Sequence, residues 1–251
     1  MNFYFVFEGK TEAIVYKKWL SFLLPHLTEV DSFDAVSQNN YYYESDMGVP
    51  DCYRVTANAI QEINEVPKYD YLVLFTDADR LTISEKKAEA FEKIKLNLQN
   101  KPFQTLPKNC QLEIIIQEVC IETWFLGNRN FFIRNPQNNE LLKQYIKYFD
   151  VSQSNPEDLA SEFEQDEENT REIFGYKTKA LFHEGYLREI FKERSSASKT
   201  HISYHKERPK EVQEEFYLKQ LLARIKTNPD HLHSFQKFIE FCSKIDIQEN
   251  T

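Results

Sequence analysis

The spacing of apolar positions changes along the chain, and each change predicts an element. Phe3–Phe7 is apolar throughout, as in a strand buried on both faces of a parallel sheet. The chain turns at Glu8-Gly9-Lys10-Thr11. Beyond it Ile14, Val15, Trp19, Leu20, Phe22 and Leu23 fall at helical spacing. A helix over Glu12–Leu24 is expected, with Thr11 as N-cap and Pro25 as its stop. Short strands are expected around 28–36 and 41–44. Asp51 reads as the N-cap of a helix to about Glu65. Tyr69–Phe75 is a second buried strand, running into Thr76-Asp77-Ala78-Asp79. Thr82 or Ser84 caps a charged helix to about Gln99. Leu112–Ile116 is a third strong strand, and a helix bearing Ile121, Trp124, Phe125 and Leu126 follows it. This alternation implies an α/β fold with a mostly parallel, Rossmann-like sheet, with the carboxyl ends of its strands on one edge.

From about residue 131 strand patterns mostly vanish. Asn135–Asn139 reads as a loop, and helices are expected near 138–149, 156–173, 179–194, 209–226 and 229–245. Asn155 before Pro156 and Asn228 before Pro229 are candidate caps. The expected division is a domain over 1–130 and a mainly helical region over 131–251, without internal repeats.

Composition narrows the class. Of 251 residues, 41% are hydrophobic and 28% charged, which predicts a folded rather than disordered chain. No apolar run is long enough to span a bilayer, and the N-terminus enters a strand without a basic leader, so a cytoplasmic protein is expected. Cys52, Cys110, Cys120 and Cys242 form no CxxC pair and read as buried free thiols. The six histidines form no metal set, since His231 and His233 are two apart and cannot share a helix face; all six read as structural or surface residues. A net charge of −9 argues against a protein that coats nucleic acid.

The candidate chemistry lies at strand ends. Glu8 closes the first strand, and Asp77 and Asp79 follow the strand at 69–75. Magnesium suits a site with a few carboxylates and remaining positions held by water or phosphate. Gly9 allows a sharp turn and close approach of a phosphate, and the following helix aims its N-terminus at the same edge. Three carboxylates at adjacent strand ends would repel one another without a cation. Gly9-Lys10-Thr11 lacks the earlier glycine of a phosphate loop, so nucleotide hydrolysis there is discounted.

Phe7-Glu8-Gly9-Lys10-Thr11-Glu12-Ala13, followed by Thr76-Asp77-Ala78-Asp79, resembles the signature of the Toprim family over residues 1–130. The resemblance implies that Glu8 is a general acid or base, or a metal ligand, and that Asp77 and Asp79 bind magnesium, with manganese able to substitute. The Glu-Gly-Lys-Thr-Glu form and Ile121–Leu126 are most similar to standalone Toprim proteins, among them OLD-like nucleases and components of bacterial anti-phage defence. That likeness implies a further acid, for which Glu122 is the candidate, with Glu118 one helical turn earlier sharing its face. It also implies a lysine near the metal, for which Lys206 is the candidate. Any ATPase would have to be a separate partner.

A basic stretch from Arg188 to Lys210, interleaved with His201, Tyr204 and His205, reads either as a solvated surface loop or as a segment that contacts phosphates and stacks on bases. Ser195–Ser198 reads as a loop within it, and the acidic stretch from Glu157 to Glu172 as a solvated helix face. The expected function is a magnesium-dependent endonuclease acting on DNA or RNA. The rival is a non-catalytic Toprim adaptor or sensor in a larger complex, and a third reading is a nuclease silent until a partner releases it. A homo-oligomer stays open. Topoisomerase and primase activities would need further domains.

Overall fold

A computed structural model describes residues 1–45, 51–133, 135–137, 139–159, 167–175, 178–198 and 201–249. The chain divides into two compact units. The first holds Met1–Asp77, Leu81–Ile116 and Lys237–Thr251; the second holds Ala78–Arg80 and Gln117–Gln236. This division does not follow the 130/131 boundary. Residues 117–130 group with the helical part, and the end of the chain groups with the sheet.

The first unit is built on an α/β sheet of five parallel strands in the order β2-β3-β1-β4-β5. The strands are β1 (Phe3–Phe7), β2 (Thr28–Glu29), β3 (Asn40–Ser45), β4 (Tyr71–Asp77) and β5 (Gln111–Gln117). All five residues of β1 are fully buried, as a central parallel strand requires. The chain leaves β1 through α1 (Lys10–Leu23) toward β2 and β3. It then crosses through α2 (Asp51–Glu65) to β4 and goes on through α3 (Ile83–Leu98) to β5. β1 and β4 are neighbours whose outgoing connections run in opposite directions, so the topological switch point lies between their carboxyl ends.

Alternation sorts the two sheet faces. Phe3, Phe5 and Phe7 line up with Tyr71 and Phe75 on one face. Tyr16 of α1 covers them, as do Phe238 and Phe241 of α9 (His233–Glu249). Tyr4 points to the other face, where its hydroxyl donates to Glu62 of α2 at 2.6 Å. α2 packs on α3 there.

Several local expectations shift. α1 begins at Lys10 with Gly9 as its N-cap, so Thr11 is a buried residue of the first turn rather than the cap. β4 runs through Asp77, which makes that acid the last residue of the strand. Asp51 is the first residue of α2. Thr82 caps α3 in a full capping box with Glu85, as its spacing from that residue favours.

In the second unit every residue of α4 (Ile121–Leu126) is buried. α4 packs on α7 (Lys179–Ser198). The Trp124 indole donates to Ser234 Oγ at 2.6 Å, and the Tyr217 hydroxyl of α8 (Glu215–Thr227) donates to the Phe125 carbonyl at 2.8 Å. Phe131 stacks against Phe191. Tyr145 of α5 (Glu140–Tyr148) packs on Tyr186 and on Phe174 of α6 (Glu167–Phe174).

Ser195–Ser198 is the last turn of α7 rather than a loop. The Ser196 and Ser198 hydroxyls donate to carbonyls four residues back, which occupies them without ending the helix. Asn228 follows α8 as its C-cap and does not start the last helix. That start is set by Glu157, whose carboxylate accepts from Ser234 N at 2.9 Å and Ser234 Oγ at 2.5 Å. At least this acid of the 157–172 stretch is therefore a helix-capping group rather than part of a solvated face. Residues 160–166 of that stretch lie outside the described residues. Asn155 does cap its short 3₁₀ turn, accepting from Glu157 N.

Gly127 follows α4 with the buried Leu232 side chain pressed on its Cα. A Cβ there would lie 2.4 Å from Leu232 Cδ1. Gly127→Ala should therefore cost about 1–3 kcal/mol by overpacking, read as a lower urea midpoint. A midpoint equal to that of the parent would mean that Leu232 can move aside.

Candidate acidic centre

The switch point of the first unit carries Glu8. Phe7 pairs with Phe75 across β1 and β4, and the next step of the ladder is Glu8 N donating to the Phe75 carbonyl at 3.2 Å. The Glu8 side chain turns toward β4. Its Oε2 accepts from Thr76 Oγ1 at 2.5 Å and from the Asp77 backbone N at 3.0 Å. Glu8 and Asp77, 69 residues apart in sequence, are thus tied at one strand edge, and both are partly exposed.

A third acid joins this neighbourhood. Glu12 is 6% exposed in the first turn of α1, and its Oε2 lies 2.6 Å from where a Cβ on Gly9 would sit. Glycine at position 9 is what lets this carboxylate fold back over the helix start. The buried Tyr16 hydroxyl senses the same acids: burial first, then the Asp77 and Glu12 carboxylates, hold its pKa well above the phenol range. Glu12 lies within the sequence motif, which assigns it no role. Its signal was a charged residue beside Thr11 and Ala13 on the inward side of α1.

The other sequence candidates belong to the second unit. Asp79 is exposed and has a left-handed backbone (φ 55°). Its N–H donates to the carbonyl of Val119 at 3.0 Å, and Val119 is also left-handed (φ 62°). A β-branched residue there costs on the order of 1–3 kcal/mol, and such strain gathers at functional loops. Glu118 lies in this loop before α4, so it does not share a helical face with Glu122.

Glu122 is fully buried. Its Oε1 accepts from the Tyr204 hydroxyl at 2.7 Å and lies 3.6 Å from Lys206 Nζ. Its Oε2 has no hydrogen-bond partner among the described residues. Burial first, then the Glu122 carboxylate, push the Tyr204 pKa far above the phenol range, so Tyr204 stays protonated as donor. Lys206 and Glu122, chosen separately from sequence, are brought together. Tyr204 was not singled out as a site residue, and 82 residues separate it from its partner.

Nearby, His183 Nδ1 lies 2.6 Å from Thr123 Oγ1, and His231 Nε2 donates to the Gly127 carbonyl at 3.2 Å. Burial lowers their pKa values to about 3 and about 4. Both are neutral in the fold, while the unfolded chain binds protons on them below about pH 6.5. Their contribution to stability is therefore full above pH 6.5 and is lost as the pH falls toward 4 and then 3. Urea unfolding at pH 5.5 should give roughly 2–3 kcal/mol less stability than at pH 7.5, about 1.4 kcal/mol per histidine for each pH unit below 6.5. His183→Asn should remove about half of that slope.

Within the described residues no three His, Cys, Asp or Glu side chains group as a ready cage for a metal ion. The donor set at the switch point is hard oxygen. Glu8 and Asp77 suit a magnesium or manganese ion that keeps most of its waters, not one enclosed by protein ligands. The four cysteines are free and buried, as expected, so none enters this chemistry. No helix among the described residues is long and apolar enough to cross a membrane. No family model, curated protein or solved structure matches the chain.

Proposed function

We propose that this chain is a metal-dependent nuclease of Toprim type that hydrolyses phosphodiesters of DNA or RNA. One observation carries the reading: Glu8 and Asp77, from two neighbouring buried strands, meet at the switch point, where Glu8 Oε2 accepts from Thr76 Oγ1 and the Asp77 amide. Magnesium or manganese, held by Glu8 and Asp77, would supply Lewis-acid stabilisation of the phosphoryl oxygens and an activated water; for Asp79 the metal role is what the resemblance implies. The residues' own work is simpler. The Glu8 carboxylate can accept a proton from an attacking water. Glu122 and Lys206 form a separate pair in the second unit, with the roles of further acid and cation that the resemblance assigns them. By the same resemblance we read it as an anti-phage effector, with any ATPase supplied by a separate partner.

A net charge of −9 favours the rival reading, a non-catalytic Toprim adaptor. Plasmid, single-stranded DNA and transfer RNA incubated with the purified chain separate the two readings. Manganese-dependent products that EDTA suppresses are expected. No product from any substrate, together with no heat of manganese binding, would leave the adaptor.

A further inference from the structure

A cavity of about 470 Å³ opens in the second unit between α7 and the segment 201–205. Its volume falls in the range of small-ligand sites, roughly 300–1,000 Å³. Arg188 and Lys192 stand one turn apart on α7, and His201 and His205 face them from the returning segment, with Ser203 and Tyr204 between. Glu189 is the one carboxylate in the lining, and it is engaged by Lys192 Nζ at 3.3 Å and Asn139 Nδ2 at 2.7 Å. Arg188 pairs with the nearly buried Glu184, which fixes its guanidinium at the rim. In a chain of net charge −9, a concave site that gathers two cations, two imidazoles and three serines stands out, with its cations held in place by Glu184 and Glu189.

We infer that this cavity binds a nucleotide unit through its phosphate. Arg188 and Lys192 meet the phosphate charge, the Ser203 hydroxyl donates to a phosphoryl oxygen, and the exposed imidazoles of His201 and His205 offer flat faces to a base. Tyr204 is the back wall. Its hydroxyl is held by Glu122, and Lys206, two residues on, lies 3.6 Å from the same carboxylate. A ligand in the cavity therefore rests on the segment that carries both partners of Glu122. The unit is either a free nucleotide or one nucleotide of a strand. As a strand subsite it deepens the nuclease reading and rests on it; as a nucleotide site it stands without it.

The test is binding by the full chain in EDTA, where cleavage plays no part. The probes are inorganic phosphate, a mononucleotide and a fluorescent oligothymidylate. Lys192→Gln and His205→Gln should each weaken binding about fivefold to tenfold, the loss of one charge-assisted or stacking contact. Lys192→Gln should also lower the slope of log affinity against log salt for the oligomer by about 0.7. Saturable mononucleotide binding marks a nucleotide site. Binding of the oligomer alone, with the same losses, marks a strand subsite. Equal affinity of parent and both variants for every probe, or no binding of any probe, overturns the inference. Metal-dependent cleavage is scored separately with Glu8→Gln, so failure of either reading is seen without the other.

Discussion

If the proposed nuclease reading holds, Glu8→Gln should leave the fold intact and remove metal-dependent cleavage. Glutamine keeps one oxygen to accept from Thr76 and the Asp77 amide, so the ladder between β1 and β4 survives. The loss in stability should be about 1 kcal/mol, the difference between a charge-assisted and a neutral hydrogen bond. The loss in activity is far larger, because the amide neither accepts a proton from water nor holds a divalent cation. A fall of at least about a hundredfold is expected, the usual range for a general base. Asp77→Asn should match it, since its side chain leaves the same strand edge while its backbone N–H still donates to Glu8. The measurements are initial cleavage rates in manganese and a urea midpoint for each variant. Rates equal to the parent in both would remove the switch point from the chemistry. Lost activity with a collapsed midpoint would instead show that these carboxylates are structural.

The largest effect on stability should come from Phe75→Ala. This ring is fully buried and meets Phe5, Phe7, Tyr16 and Phe238 at centroid distances of 5.9, 5.1, 4.2 and 6.0 Å. Truncation leaves a cavity that four rigid rings cannot close, at a cost of about 3–5 kcal/mol. Against a typical total of about 5–15 kcal/mol, this is a large fraction. The melting midpoint of the first unit should fall on the order of 10 °C by circular dichroism. A shift of only a degree or two would mean that Tyr16 and Phe238 repack into the gap.

What could be read from sequence follows from the range of each signal. Phe3–Phe7 is legible because burial on both faces leaves an unbroken apolar run, and β5 because Ile114, Ile115 and Ile116 are three buried β-branched residues in a row. Thr82 is legible because its capping box with Glu85 closes within four residues. Ser195–Ser198 misleads because serine composition suggests a loop, whereas the hydroxyls bond back within the helix. Asn228 misleads because Asn-Pro reads as a helix start, while the group that caps the last helix is Glu157, far away in sequence. The candidate site shows the same split. Glu8 and Asp77 stand out because strand ends are local features. Tyr204 shows in the sequence only as part of the basic stretch; its bond to Glu122 does not, because 82 residues separate the two. Nor could periodicity assign Phe238 and Phe241 to the sheet, since an amphipathic helix does not name the surface it covers.

That last assignment bears on biosynthesis. The face formed by Phe7, Tyr71 and Phe75 is covered in part by α9, whose Phe238 and Phe241 are translated long after β4. A nascent chain that has already paired β1 with β4 still shows part of this aromatic face to solvent, open to wrong partners such as a chaperone or a second nascent chain. The strand edge that bears Glu8 and Asp77 is then backed by an incomplete layer until α9 docks. Chains stalled behind a C-terminal linker long enough to carry α9 out of the exit tunnel should therefore protect Tyr71 and Phe75, while chains stalled with α9 inside it should not.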